Sequence, residues 1–185
     1  MDSTLRNRKK AETKLAIYDA AYRLFRSKGY TKTTLSEIAA AANVSQRTIF
    51  SYYPSKEAII FEKQRQLIDD LFYHIELRGN QTVFEAIRSY DMPTESTQFT
   101  STTQQLLNLS PELQEYSSQL HATLESRLVE LIARENNLSI NTLQAHLLAA
   151  SCRTLITYLM DNKSDTTALE IGLKYIESGL KATVE

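Results

Sequence analysis

With 185 residues, 42% of them hydrophobic, the chain can bury a real core in one large domain or two small ones. A net charge of only −1 singles out no polyanionic partner, and a single cysteine, Cys152, rules out an intrachain disulfide. The opening MDSTLRNRKK lacks the apolar run of a signal peptide, and the most apolar stretch, Leu143 to Met160, holds His146 and Arg153; a cytoplasmic protein with no membrane span is expected.

Charge is unevenly spread. Residues 1–60 carry 11 Lys and Arg against 5 Asp and Glu, a balance of +6, while residues 61–185 carry 10 against 17, or −7. A basic head on an acidic body suggests that only the head meets a polyanion, although a solvated lysine tail would give the same numbers. Ile17, Ala21, Leu24 and Phe25 mark a first helix that ends at Gly29 as its C-cap. Thr34 and Glu37 fit a capping box, and Leu35, Ile38, Ala39 and Ala42 give the helix behind it one apolar face. Asn43 tolerates the left-handed backbone of a sharp turn, and Ser45 caps the next helix. There Gln46, Arg47, Thr48 and Ser51 are polar, while Ile49 and Tyr53 are available to pack inward. A polar-faced helix set against an apolar-faced one across a short turn is the helix-turn-helix pattern, whose second helix enters the DNA major groove.

Ser55 opens a long helix with apolar positions from Ile60 to Ile75, ending near Gly79 and joining head to body. The body reads as five more helices: Gln81 to Tyr90, Phe99 to Asn108, one begun by Ser110-Pro111-Glu112, Ser139 to Asp161, and Asp165 to about Ala182. A break at Asp91 to Thr97, with Pro93, separates the first two. Strand-like alternation is absent, so the fold class is all-α with about nine helices. The chain divides into an N-terminal helix-turn-helix domain over residues 1–54 and a larger helical domain over residues 55–185. Gly172 and Gly179 share a stripe of the last helix with Leu169, Ile176 and Leu180. Each interior glycine costs a helix about 1 kcal/mol relative to Ala, so another helix is expected close by. It belongs either to a second subunit or to the same chain.

Nothing announces catalysis. His74, His121 and His146 are scattered without metal-ligand spacing, no glycine-rich phosphate loop exists, and no cofactor or metal is expected.

The segment from Ile17 to Glu57 resembles the DNA-binding domain of TetR-type (tetracycline-repressor-like) transcriptional regulators. The matching residues are Ala20, Phe25, Gly29-Tyr30, Thr33-Thr34, Ile38-Ala39, Val44-Ser45, Thr48-Ile49 and Pro54-Ser55-Lys56-Glu57. Asn43 stands where glycine is usual, Phe50 where tyrosine is common and Tyr52 where histidine is frequent. The resemblance implies a homodimer that places the Gln46-to-Tyr53 helix of each subunit in one half of a near-palindromic double-stranded operator. It further implies a ligand cavity in the larger domain and dimerisation through the two C-terminal helices, consistent with a repressor released by a small-molecule effector.

Position and chemistry together suggest the contacts. Arg47 can donate two bonds to guanine, Gln46 can pair with adenine, and Thr48 can meet a base or a thymine methyl. Thr34 and Ser36 match family positions that reach DNA, Ser51 faces outward, and Tyr52 and Lys56 are expected on phosphates. Arg6, Arg8, Lys9, Lys10 and Lys14 suggest an arm along the backbone or minor groove. In the body, Phe99, Thr103, Tyr116, Leu120, Thr123, Thr154 and Tyr158 mix apolar surface with hydroxyls, as a small-molecule pocket requires, though the same residues suit an ordinary core. The rival from another class is a helical adaptor that binds protein rather than DNA, since a helix-turn-helix scaffold alone does not fix function.

Overall fold

The computed structural model describes residues 2–91, 110–162 and 165–181. Among them are nine α-helices and no strand: α1 Asp2–Lys28, α2 Leu35–Ala41, α3 Gln46–Tyr52, α4 Lys56–Ile60, α5 Glu62–Glu76, α6 Val83–Ser89, α7 Pro111–Glu135, α8 Leu143–Asp161 and α9 Thr166–Lys181. The break expected at Asp91 to Thr97 and the helix expected at Phe99 to Asn108 lie outside the described residues, Asp91 itself aside.

The chain divides into two compact units. One runs to Glu62 and includes residues 110–116, the start of α7; the other takes up α5 from Lys63 and everything described from Ser117 on. The division expected between residues 54 and 55 thus falls after Glu62 by compactness, because α4 packs on α1 and buries Ala58, Ile59 and Ile60.

In the first unit α1 packs on α2 and α4, and α2 on α3. Ile17, Ala20, Ala21 and Phe25 form the buried stripe of α1, and Ile38, Ala39, Ile49 and Tyr53 answer it from α2, α3 and the residue after α3. The helix stops where the sequence says it should: Gly29 adopts φ 86° and donates its N–H to Phe25 O at 3.0 Å. It starts much earlier than its apolar pattern. No Gly or Pro interrupts residues 2–28, and Leu, Arg, Lys, Ala and Glu are good helix formers, so the basic segment continues α1 as an extension that carries no core.

The long helix expected from Ser55 to near Gly79 is two helices. Phe61 (φ −86°, ψ 7°) ends α4, and Glu62 begins α5. Glu62 is only 2% exposed, and its carboxylate pairs with the Lys14 ammonium of α1. Breaking one partner of such a pair strands a buried charge, which typically costs 3–5 kcal/mol. The pair therefore ties Glu62 to α1 within the first unit, where the Phe61 ring also stacks on Tyr116 with centroids 5.2 Å apart.

The second unit has one apolar core, formed by Leu71, Phe72 and Ile75 of α5, Phe84 and Ile87 of α6, Leu128 and Ile132 of α7, Cys152 and Ile156 of α8, and Leu173 and Ile176 of α9. α9 packs on α8 and on α6. Ion pairs lace the periphery, with Arg88 on Glu170 and Glu177, and Arg78 on Glu135. Arg153, which a pocket could have used against an anion, is paired with Glu125 at 2.8 Å.

The glycine stripe of α9 has a neighbour in its own chain at Gly172. A Cβ at Gly172 would stand 2.6 Å from Leu155 Cδ1, so glycine there admits α8 of the same chain. Ile176 is buried and Leu169 packs against the unit's own core. Gly179 is exposed, and the Leu180 side chain lies outside the described residues. The apolar residues left uncovered are different ones. Leu143, Leu147 and Tyr158 recur on one face of α8, and Ile171 and Tyr175 on one face of α9, all exposed.

Candidate nucleic-acid interface

The head of α2 is held by a reciprocal cap. The Glu37 N–H donates to Thr34 Oγ1 at 3.3 Å, and the Thr34 N–H and hydroxyl donate to Glu37 Oε2 at 2.9 and 2.8 Å. The Lys28 ammonium pairs with the other carboxylate oxygen. These partners, Lys28 first and then the Thr34 N–H and hydroxyl, lower the Glu37 carboxyl from 4.5 to about 2. A depressed carboxylate contributes stability in full above its unfolded value, lost as pH falls from about 4.5 towards 2. Acid unfolding followed by circular dichroism is therefore expected to show a steeper loss across that window for the wild type than for Glu37→Gln. Equal steepness would mean that the box does not couple to folding.

After α2 the chain reverses through a Schellman motif. Val44 N–H donates to Ala39 O at 3.0 Å and Asn43 N–H to Ala40 O at 3.2 Å, with Asn43 at φ 54°. Asparagine thus does the work of the usual glycine. Ser45 then caps α3, its Oγ accepting from the Thr48 N–H at 3.0 Å. Ile49 and Tyr53 anchor the helix inward, and Gln46, Arg47, Phe50 and Ser51 are left on its exposed side. The helix is seven residues long, so nearly every outward side chain is available to a groove.

The expected contact residues are thus sorted by the structure. Gln46, Arg47 and Ser36 are exposed. Thr34 is exposed but its hydroxyl is committed to the cap. The Thr48 hydroxyl lies 2.8 Å from Ser45 Oγ, and the Ser51 hydroxyl donates to Thr48 O at 2.6 Å; both are engaged within the domain. Lys56 differs most from expectation. Its ammonium donates to Tyr30 O at 3.0 Å and Thr33 O at 3.1 Å and lies over the Tyr30 ring. With two of its three donors used, its main task is to tie the Tyr30–Thr33 turn to α4. Burial lowers its pKa, against the opposing charges of Glu57 and Glu112. Glu57 in turn accepts from the Tyr30 hydroxyl. Phe50 was not among the expected contacts. Its spacing from Gln46 and Arg47 puts it on the same outward face, where an aromatic edge can meet a thymine methyl.

The expected pocket residues that are described lie in differing surroundings. Thr123 and Thr154 are exposed, with hydroxyls bonded to Gln119 O and Ala150 O of their own helices, and Tyr158 is exposed beside Leu147's stripe. Tyr116 stacks on Phe61 in the first unit, whereas Leu120 packs on the core of the second. Phe99 and Thr103 lie outside the described residues. Burial pushes the Cys152 thiol up to about 12, which leaves it protonated and unreactive.

A family model for bacterial regulatory proteins of the tetR family matches residues 17–62, the span that holds α2, α3 and their turn. The resemblance read from the sequence is thus supported over those residues. It is 29% identical over 137 residues to MftR of Mycobacterium tuberculosis, a proposed transcriptional regulator of mycofactocin biosynthesis, covering 70% of this chain and 68% of that one. It is 39% identical over 64 residues to the HTH-type transcriptional regulator RutR of Escherichia coli K12, covering 35% of this chain but only 30% of RutR. The fold is that of FadR from Thermus thermophilus, a TetR-family transcriptional repressor solved with lauroyl-CoA: TM-score 0.55 at 24% identity, over 90% of this chain and 94% of that one. These relatives are regulators of transcription, not enzymes. No helix among the described residues is long and apolar enough to cross a membrane.

Proposed function

We propose that this chain is a TetR-type regulator that binds a near-palindromic operator as a homodimer, represses from it, and leaves it when a small-molecule effector binds. The observation that carries the reading is the outward side of α3. Its guanidinium, amide, ring and hydroxyl are gathered on a helix whose other side is locked into the core by Ile49 and whose head is locked by Ser45. Arg47 reads guanine, Gln46 reads adenine, and Phe50 packs on thymine methyls. Ser36 and Tyr52 set register on the backbone, and Lys56 supports them through the Tyr30–Thr33 turn.

Two α3 helices about 34 Å apart span one turn of DNA, which demands a two-fold partner. The uncovered apolar faces of α8 and α9 suit that partner, since contiguous exposed apolar surface marks an interaction site. An effector held by the second unit favours another spacing of the two helices. It moves the equilibrium only by its differential affinity for the two states.

Selection of bound duplexes from random DNA tests the reading. Recovery of an inverted repeat, bound by two subunits, is expected. A library that shows no enrichment at modest ionic strength would overturn it.

A further inference from the structure

We propose that each subunit holds DNA at a second, sequence-independent seat, the groove between the first turns of α1 and the end of α3. There it grips the sugar-phosphate backbone that flanks the major groove. The inference rests on the operator-binding reading above and extends it beyond the recognition helix.

The groove follows from the pattern of α1. Its buried stripe at Ile17, Ala21 and Phe25 continues toward the N-terminus, at the same helical spacing, as Thr13, Lys10 and Arg6. The face that closes on the core therefore turns polar and then cationic as it runs past the core's edge. Arg6, Lys9, Lys10 and Thr13 form one wall of an open groove, and Ser51 and Tyr52 of α3 form the other. No carboxylate lines it. The nearby Glu12 is engaged with Arg8 at 3.3 Å, and Lys14, expected in a DNA-binding arm, is instead paired with the buried Glu62. Three like charges gathered along one cleft repel one another and focus a positive potential that an anion relieves.

Position supplies the identity of that anion. A helix lying in the major groove has a phosphodiester strand along each flank, and this groove shares its wall with α3. The strand that passes Ser51 and Tyr52 runs between them and the cations of α1. The cations are mounted on a folded helix rather than a loose arm, so binding does not have to order their backbone first.

The test compares the full-length wild type with an Arg6→Gln/Lys9→Gln/Lys10→Gln variant on operator and scrambled duplexes over a range of salt. The variant's slope of log K against log salt is expected to be shallower by about 2–3 per subunit, with the operator-over-scrambled ratio unchanged. Lys9→Arg/Lys10→Arg is expected to keep the wild-type slope. Hydroxyl-radical footprints should show backbone protection outside the α3 contact for the wild type and its loss in the triple variant. An unchanged slope, or a wild-type footprint without that flanking protection, overturns the second seat. If Arg47→Ala still weakens operator binding in the same assays, the regulator reading survives that failure. A wild type that binds no duplex overturns both.

Discussion

Arg47→Ala is expected to lower operator affinity by about 1–3 kcal/mol and to relax base preference at one position in each half-site. Arg47 lies on the exposed side of α3, and no ion pair holds it among the described residues, so its guanidinium donors are available to a base. A bidentate pair with guanine O6 and N7 discriminates against the other bases, because a wrong base leaves desolvated donors unsatisfied. The fold is indifferent to the change, since Ile49 and Tyr53 carry the packing of this segment. Quantitative binding to a panel of single-base operator variants checks both parts. Unchanged affinity with an unchanged preference profile would remove Arg47 from base reading.

Leu147→Glu is expected to convert the dimer to monomer at micromolar concentration and to weaken operator binding by at least a hundredfold. Leu147 is 58% exposed in the isolated chain, on the α8 face shared with Leu143 and Tyr158, so its loss barely touches the subunit's own core. In a two-fold interface each substitution appears twice. Burying a leucine side chain contributes about 1.5–3 kcal/mol, and burying an unpaired carboxylate costs several more, so the combined effect exceeds what a modest dimer can absorb. A monomer holds one half-site and forfeits the avidity of the second. Sedimentation velocity reads the first effect and duplex binding the second, with thermal melting as the control for folding. A variant that stays dimeric would show that the subunits meet elsewhere.

Much of the first unit was legible in the chain because its signals are local. The Thr34/Glu37 box, the Asn43 turn, the Ser45 cap and the Gly29 stop each depend on residues a few positions apart. The contrast between inward Ile49 and outward Arg47 is a matter of helical spacing. What escaped depends on distant partners. The pattern around Ile60, Phe61 and Glu62 reads as one helix, and only the pairing of Glu62 with Lys14 reveals a buried carboxylate at a break. Lys56 looks like a phosphate ligand until the carbonyls of Tyr30 and Thr33 are brought to it. The extension of α1 has no apolar face, so periodicity could not report it. The α9 stripe shows the complementary limit: spacing puts Gly172 and Ile176 on one face but cannot say whose helix meets them, and the answer is Leu155 of the same chain. Thr154 and Tyr158 likewise combine hydroxyls with apolar surface, which suits an enclosed cavity and an outer face equally well.

The Ser45 cap and the inward anchors of α3 have one more consequence. The features that mount this short rod on its scaffold are all distinct from the side chains at Gln46, Arg47 and Phe50 that it displays. Those three positions can be exchanged while the mount stays intact, so on the proposed reading a new address on the genome can be acquired without relearning how to fold.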